Sequence, residues 1–309
     1  MILTITLNPS VDINYKINDF QIGNTNRIGD ISKTFGGKGL NVARVVKQLD
    51  TPVGASGFLG GHLGQFIRGE IDKSEIQDHF VEIEDCTRNC IAVIHDGKQT
   101  ELLESGPVIQ EEEQQKFMEN LKEIMNDIKI ITISGSLPQG LDDDFYTRIL
   151  EMAKQFNIKV LLDTGGRLLE TTLSYNFKPF FIKPNKEEFR ELIGLEELNK
   201  MQVLETLRTG SLASISLIVV TLGNMGAYVK YNSLIYKAEV PKIHAINPVG
   251  SGDSVVAGFA VGLSRNMHEE ELIKFGLSMG VLNAMESETG SIDNDNIEWC
   301  MKNITLEKL

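Results

Sequence analysis

The chain has 309 residues, with 30 lysines and arginines against 43 aspartates and glutamates, so its formal net charge is −13 at pH 7. This balance argues against a nucleic-acid binder, because contact with a phosphate backbone needs a basic face. The length suits one large α/β domain, and Cys86, Cys90 and Cys300 form neither a paired disulfide framework nor a zinc-ligand set.

Short runs of β-branched residues predict strands that are buried on both faces. The first run, MILTITL, has no basic segment before it and is short, which is typical of a buried first strand and not of a signal peptide. The other predicted strands are residues 53–59, 128–134, 158–163, 179–185 and 216–223. No apolar stretch of the sequence approaches the length of a membrane span.

Longer segments with helical periodicity alternate with these strands, at residues 41–50, 111–128, 143–156 and 186–195. Such alternation is typical of a doubly wound, mainly parallel sheet with helices on both faces. The sequence has no internal repeat, low-complexity tract or long linker. We therefore predict an α/β fold in which residues 1–309 form a single domain.

Three segments depart from this alternation, at residues 11–20, 28–35 and 88–104. The last contains two strand-like runs joined around His95, Asp96, Gly97 and Lys98, which is a hairpin signal. Together the segments predict a small β-sheet that stands off the main sheet as a lid. Their alternation of apolar and polar residues gives this sheet an apolar face for the main domain to cover in part.

Two glycine-rich stretches precede predicted helices: GGKGLNVAR, from Gly36, and NPVGSGDSVVAGFAVG, from Asn247. Neither is a common nucleotide-binding loop. The Gly-Lys pairs are followed by Gly39 and Gln99 where the phosphate loop needs serine or threonine, and no Gly-x-Gly-x-x-Gly follows the first strand. The two stretches therefore need another explanation.

The second stretch has two interpretations. In one, Ser251 or Asp253 caps a helix whose small residues let it pack closely in the core. In the other, N–H groups of the Gly-Ser-Gly-Asp turn point outward at a helix N-terminus and bind an anion. Lys38 and Asn41 in the first stretch are likewise either helix-start residues or ligands of an anion or a hydroxyl. Two such helix starts in one chain favour the functional interpretation.

The two stretches resemble the two signatures of the ribokinase-like, PfkB-type carbohydrate kinases. Between them, ISGSLPQG, IKPNKEEF and VVTLGNMGA follow the order found in the branch that phosphorylates sugar phosphates. The resemblance covers essentially the whole chain, and TLNPSVDI, ASGFLGG and TRNCIAVIHDG extend it towards members that act on D-tagatose 6-phosphate. It implies a ribokinase-like fold and a kinase that uses ATP and Mg²⁺.

The resemblance also implies roles for residues of the sugar half of the site. Asp253 matches the catalytic base, and the N–H groups of Gly250, Ser251, Gly252 and Asp253 match the anion hole for the transferred phosphoryl group. Ser251 stands where many relatives have alanine, which matters little because the backbone does the binding. Asp12 matches the residue that holds sugar hydroxyls, and Arg88 and Ser136 match groups near the phosphate of the sugar. The full set of expected sugar contacts is Asp12, Gly37, Lys38, Asn41, Arg88 and Ser136.

On the nucleotide side, KPNKEE resembles the family's triphosphate and magnesium-water motif, so Glu188 is expected to hold Mg²⁺ through water. Taken without the resemblance, this stretch is the end of a strand followed by a proline turn and by a helix start with acidic residues in its first turn. Asn283 is expected near the adenine. The full set of expected ATP contacts is Lys183, Asn185, Glu188, Thr221, Gly223, Gly226 and Asn283.

Phosphoryl transfer needs a carboxylate that accepts the proton of the sugar hydroxyl and donors that neutralise the moving group. The acidic net charge is compatible with this, since Lys38, Arg88 and Lys183 are local positive charges. Three functions stay open: phosphorylation of D-tagatose 6-phosphate at its C1 hydroxyl, a 1-phosphofructokinase activity, and a non-catalytic sugar-phosphate sensor. Intact Asp253 and KPNKEE favour a kinase, and we expect the first.

The expected partners are a sugar phosphate and ATP, with no nucleic acid and no membrane. The apolar face of the lid and the resemblance together predict a homodimer formed through that sheet. The absence of a signal peptide and of paired cysteines predicts a cytoplasmic location.

Overall fold

The computed structural model describes residues 1–96, 98–195, 197 and 199–309, so Gly97 of the predicted hairpin turn lies outside the described residues. The strands are β1 (Ile2–Thr6), β2 (Ser10–Lys16), β3 (Asp30–Gly36), β4 (Val53–Gly60), β5 (Gln77–Asp78), β6 (Val81–Ile83), β7 (Arg88–His95), β8 (Lys98–Leu103), β9 (Ile130–Ser134), β10 (Lys159–Asp163), β11 (Phe181–Ile182), β12 (Leu217–Thr221), β13 (Ala227–Tyr231), β14 (Leu234–Glu239) and β15 (Thr305–Lys308). The helices are α1 (Lys38–Gln48), α2 (Gly61–Lys73), α3 (Glu111–Ile124), α4 (Phe145–Gln155), α5 (Gly166–Ser174), α6 (Lys186–Ile193), α7 (Lys200–Arg208), α8 (Ser251–Ser264), α9 (Glu269–Met285) and α10 (Ile297–Asn303).

The larger sheet is mainly parallel. Its strand order is β15-β14-β13-β12-β11-β10-β9-β1-β4-β5, with β6 paired to β4 beside that path. The strands from β12 to β5 run parallel, whereas β13, β14 and β15 extend the sheet in antiparallel fashion. The predicted fold class is confirmed, and the antiparallel extension is a feature that the sequence analysis did not predict.

Helices cover both faces of this sheet. Buried side chains of α1, α2, α8, α9 and α10 form one apolar cluster with the sheet, and those of α3 to α7 form a second cluster on the other face. This double covering explains why β1, β4 and β9 are buried along their whole length. A strand that is buried on both faces has no polar alternation, as the β-branched runs of the sequence predict.

Helices α8 and α9 pack unusually closely through small residues. A Cβ atom added to Gly258 would lie 2.9 Å from the Cα of Gly276, and one added to Gly262 would lie 2.6 Å from Leu272. Since real Cβ atoms do not approach neighbours so closely, these glycines allow the two helices to touch. The packing interpretation of the second glycine-rich stretch is therefore right for its second half.

The small sheet consists of four strands in the order β3-β2-β7-β8. All three segments that depart from the strand–helix alternation contribute to it, and β2 and β7 pair in parallel at its centre. Its side chains Ile31 and Leu102 are 48% and 57% exposed. That the chain forms one domain with this sheet as a lid stays a prediction.

Cys86, Cys90 and Cys300 are free thiols. Within the described residues, none of the helices combines the length and apolarity that crossing a membrane requires.

Candidate active site

The carboxyl ends of β1, β9, β10, β11 and β12 lie along one edge of the larger sheet. In parallel sheets this edge is where ligands bind, because loops and helix N-termini meet there. Two charged residues at the ends of neighbouring strands form a buried ion pair, with Lys183 Nζ 3.2 Å from Asp163 Oδ1. Their side chains are only 6% and 2% exposed.

Asp253 completes a cluster of charges with this pair. It lies in the first turn of α8 and is 6% exposed, and its Oδ2 accepts a 2.7 Å hydrogen bond from Nδ2 of Asn41 in α1. Burial and the nearby Asp163 carboxylate raise the pKa of Asp253 to about 6, against the opposing effect of the Asn41 hydrogen bond and of Lys38 and Lys183. A carboxylate with such a pKa is still ionised at neutral pH and is a better base than an ordinary aspartate.

Lys38 is the first residue of α1 and faces the same cluster. The carboxylate of Asp163, and further those of Asp253 and Glu188, raise the pKa of Lys38 despite its partial burial. The ammonium of Lys183 lies beside the Gly252 backbone, since a Cβ atom there would be 2.9 Å from Nζ. Two lysines therefore stand next to the glycine-rich turn.

The turn itself presents backbone donors. Gly250 has φ +80°, a left-handed conformation that favours glycine, and it precedes α8 without any side-chain cap. Ser251 donates its N–H to the Pro248 carbonyl at 3.2 Å. Within the described residues, the N–H groups of Gly250, Gly252 and Asp253 have no acceptor. The capping interpretation of Ser251 and Asp253 is therefore wrong, and three of the four predicted anion-hole donors are unpaired.

The small sheet carries two of the predicted sugar contacts, Asp12 in β2 and Arg88 in β7. Asp12 in β2 accepts a 2.6 Å hydrogen bond from Ser10 Oγ, and burial raises the pKa of Asp12. Arg44 and Arg88 lie close enough to oppose that rise electrostatically. Gly37, the residue before α1, has φ +109° and separates Lys38 from the end of β3.

Arg88 and Ser136 are joined through Asn8, a residue that the sequence analysis did not single out. Arg88 donates from Nη2 to the Asn8 carbonyl at 3.1 Å and from Nη1 to the Glu104 carbonyl at 2.7 Å. Asn8 Nδ2 donates to Ser136 Oγ at 3.5 Å. The buried Nε of Arg88 has no partner among the described residues. This end of the cleft therefore combines an arginine and a hydroxyl, which suits a phosphate group.

On the nucleotide side, Asn185 and Glu188 form a reciprocal cap at the start of α6. Glu188 N–H donates to Asn185 Oδ1 at 2.9 Å, and Asn185 N–H donates to Glu188 Oε2 at 2.8 Å. Glu188 Oε1 remains beside Gly165, next to the end of β10. The helix-start interpretation of KPNKEE thus describes the local structure, while one carboxylate oxygen of Glu188 stays outside the cap.

Thr221, Gly223 and Gly226 follow one another at the end of β12. Thr221 N–H donates to the Pro184 carbonyl at 3.0 Å, which ties this segment to the KPNKEE stretch. Gly223 is exposed, with φ +61°. A Cβ atom on Gly226 would lie 2.0 Å from the Ala238 carbonyl oxygen, so the hairpin of β13 and β14 requires glycine here.

Comparison with known proteins identifies the family. The model of the pfkB family carbohydrate kinases matches residues 5–296. The chain belongs to the PfkB family. This PfkB-family protein is 45% identical over 307 residues to tagatose-6-phosphate kinase from two strains of Staphylococcus epidermidis, covering 99% of each chain. It is therefore an ATP-dependent sugar kinase, and its relatives make it a sugar-phosphate kinase.

Solved structures agree with the fold of this PfkB-family kinase. Phosphofructokinase-2 from Escherichia coli in complex with potassium superimposes with a TM-score of 0.87 at 26% identity, covering 97% of this chain and 98% of that one. A protein from Thermotoga maritima described as a possible 1-phosphofructokinase gives a TM-score of 0.89 at 25% identity, and the match covers 100% of this chain and 99% of that one. The Escherichia coli protein also has a tetrameric inhibited form.

One predicted contact of the PfkB-family kinase needs correction. Asn283 is fully buried in α9. Its Oδ1 accepts from Ser254 Oγ at 3.0 Å and from Gly290 N–H at 2.8 Å, and its Nδ2 donates to the Val249 carbonyl at 2.9 Å. With both ends of the amide used and no exposed surface, Asn283 supports the glycine-rich turn and does not face adenine.

Three residues of the PfkB-family site were not predicted: Asp163, Arg44 and Asn8. Asp163 had a sequence signal, because a carboxylate at the end of a buried strand followed by two glycines marks the ligand edge of a parallel sheet. Arg44 lies one helical turn after Asn41, which places both on one side of α1. Asn8 has no local signal, since its partners Ser105 and Ser136 are distant in sequence.

Proposed function

We propose that this kinase transfers the γ-phosphoryl group of ATP to the C1 hydroxyl of D-tagatose 6-phosphate, giving D-tagatose 1,6-bisphosphate in lactose and galactose breakdown. The observation that carries the proposal is the placement of Asp253 beside three unpaired N–H groups at a helix N-terminus. The 45% identity to tagatose-6-phosphate kinase supports the choice of sugar.

In the proposed reaction, Asp253 accepts the proton of the C1 hydroxyl while the oxygen of that hydroxyl bonds to the γ-phosphorus of ATP. The bond between that phosphorus and the bridging oxygen of ADP breaks. The N–H groups of Gly250, Gly252 and Asp253 stabilise the charge on the moving phosphoryl group, together with the positive end of α8. Lys38 and Lys183 add positive charge beside the turn.

The site also suits Mg²⁺, which proteins usually hold through one or two carboxylates while substrate phosphates and water supply the other ligands. Within the described residues there is no group of three or more typical metal ligands. The buried Asp163 Oδ2 has no hydrogen-bond partner among them. Asp163 and Glu188 would hold the ion, Glu188 through water, and the ion would neutralise charge on the phosphates of ATP.

At the other end of the cleft, we assign Arg88 and Ser136 to the 6-phosphate of the sugar. Asp12 and the second N–H of the Asn41 amide, whose first N–H is donated to Asp253, would bind sugar hydroxyls. Gly37 would let the sugar approach the start of α1. Thr221, Gly223, Asn185 and Lys183 would line the path of the nucleotide phosphates. A cytoplasmic location stays a prediction.

The sugar is tested by side-by-side kinetics with ATP on D-tagatose 6-phosphate, fructose 6-phosphate and fructose 1-phosphate. We expect the highest kcat/KM with tagatose 6-phosphate. A preference for fructose 1-phosphate would favour the alternative of a 1-phosphofructokinase, the activity named as possible in the description of the Thermotoga maritima protein. No turnover of any of the three would favour a sensor, against which the intact charge cluster argues.

We also expect a homodimer through the small sheet. The pairing of β2, β3, β7 and β8 places Ile31, Tyr15, Ile91 and Leu102 on one face, and the exposed Ile31 and Leu102 extend beyond the part that the main sheet covers. An apolar patch of this kind on one protomer suits the same patch on another. The tetrameric form of Escherichia coli phosphofructokinase-2 is consistent with a kinase that associates.

Light scattering at micromolar concentration should give the mass of a dimer, and Leu102→Glu should shift it towards the monomer because a charge on the patch would be buried. Leu103→Glu is the matched control, since Leu103 is 63% exposed on the opposite face. A monomeric wild-type protein would contradict this mode of assembly.

A further inference from the structure

Arg44 reaches the candidate base through a single intermediary. Its Nη2 donates a hydrogen bond to Asn41 Oδ1, and Asn41 Nδ2 donates to Asp253 Oδ2 at 2.7 Å. Arg44 and Asn41 lie one turn apart on α1, whereas Asp253 lies on α8. The amide of Asn41 therefore has its oxygen held from one side and its nitrogen directed to the other.

The Arg44 guanidinium is fixed by its surroundings. Its Cζ lies 4.6 Å from the centroid of the Phe35 ring, and its Nε is buried without a partner among the described residues. Gly290 closes the other side, since a Cβ atom there would lie 3.1 Å from Nε. The guanidinium thus lies between the Phe35 ring and the backbone at Gly290, which restricts it to few orientations.

The charges around Arg44 keep it protonated. Burial lowers the pKa of Arg44, while the carboxylates of Asp12, Asp253 and Glu288 oppose that effect. An arginine starts from so high a pKa that it stays positively charged at neutral pH. A charged guanidinium can only donate, so the atom of Asn41 that it contacts must be the oxygen.

We propose that Arg44 is a positioning residue for phosphoryl transfer, which holds the Asn41 amide in the one orientation that donates to Asp253. This inference rests on the proposed role of Asp253 as the base. Arg44 itself touches neither the base nor any residue assigned to the phosphoryl group. Its effect is transmitted by the amide.

The physical reason is the near-symmetry of a carboxamide. Without Arg44, the Asn41 side chain can turn over and present Oδ1 to the Asp253 carboxylate, where two acceptors repel each other. Asp253 then gains a proton more readily, because only its protonated form can donate to that oxygen. The loss of Arg44 should therefore act on the proton affinity of the base. The other charges facing Asp253, on Asp163, Lys38 and Lys183, stay in place.

The test is the pH dependence of kcat for Arg44→Met, measured with saturating ATP and D-tagatose 6-phosphate. In the wild type, kcat should fall as the pH drops through the pKa of the base. In Arg44→Met, this acidic limb should move up by about one pH unit, the size expected for a lost charge-assisted hydrogen bond. Arg44→Lys, which restores a charged donor, should recover part of the shift. Each variant reports the shift of the acidic limb by itself, so a folding defect in one variant does not prevent the test with the other.

Two controls separate this role from others. Arg265→Met removes an arginine that donates to the Leu49 carbonyl and to Thr51 at the far end of α8, so it should lower the thermal midpoint without moving the acidic limb. In an Asn41→Ala background, adding Arg44→Met should move the limb no further, because the intermediary is already gone.

An unmoved limb in Arg44→Met and Arg44→Lys would overturn the inference. So would an equal shift in the Asn41→Ala background, since it would show that Arg44 acts on Asp253 through its charge alone. Full activity of Asp253→Asn would instead overturn the proposed base, and thus the two failures are distinguishable.

Discussion

Asp253→Asn should lower kcat by about 10²-fold or more while the KM values for ATP and sugar phosphate change little. An amide cannot take the proton of the attacking hydroxyl, whereas the turn and its N–H donors do not depend on the side chain. Asparagine can also still accept the hydrogen bond from Asn41, so the local contact survives. The loss should therefore fall on the chemical step and not on binding.

Steady-state kinetics at neutral pH and a thermal melt are the measurements for this variant. Asp50→Asn is a matched control, because Asp50 is an exposed aspartate in the loop before β4, at the opposite edge of the sheet. A folded Asp253→Asn protein with nearly wild-type kcat would refute the assignment of the base. The structure already removes the alternative of a helix cap, since no side chain caps α8.

Much of the fold followed from local patterns in the sequence. The β-branched runs predicted the parallel strands, and the segments that depart from the strand–helix alternation predicted the small sheet. A strand that is buried on both faces is apolar throughout, whereas a strand that is buried on one face alternates apolar and polar residues. The hairpin of β13 and β14 is local and was overlooked, whereas β15 pairs with β14 from the far end of the chain. Such pairing depends on contacts that no short window of sequence contains.

Arg88→Ala should raise the KM for the sugar phosphate by about 10- to 100-fold and the KM for ATP far less, since a charge-assisted contact is worth roughly 1.5–3 kcal/mol. The guanidinium is already held by the carbonyls of Asn8 and Glu104, so it is preorganised for an anion. Part of the rise in KM will come from the loss of these two hydrogen bonds, which connect the segments around Asn8 and Glu104.

Two further variants make this result specific. Arg88→Lys keeps the charge but not the planar fork, so its KM for the sugar phosphate should lie between those of the wild type and Arg88→Ala. Arg68→Ala is the remote control, because Arg68 of α2 pairs with Asp78 of β5 and Glu82 of β6. Equal effects of Arg88→Ala on both substrates would place this residue at the wrong end of the cleft.

Some residues of the candidate site could be predicted from the sequence, and others could not. Asp253, Lys38 and Asn41 stand in the glycine-rich stretches that resemble the family signatures, and the structure brings all three together. Asp163 pairs with Lys183 across two neighbouring strands, a contact that depends on strand order. The prediction for Asn283 was wrong because helix position alone does not tell a cleft-facing side chain from one enclosed between α8 and the turn.

The glycines of the second stretch serve two unrelated purposes. Gly250 and Gly252 belong to the turn, whereas Gly258 and Gly262 permit the contact of α8 with α9. A descendant that had lost catalysis would still need the latter pair in order to fold. The second half of this stretch thus records the packing of the core, whereas Gly250, Gly252 and Asp253 are positions at which a loss of the proposed chemistry would show.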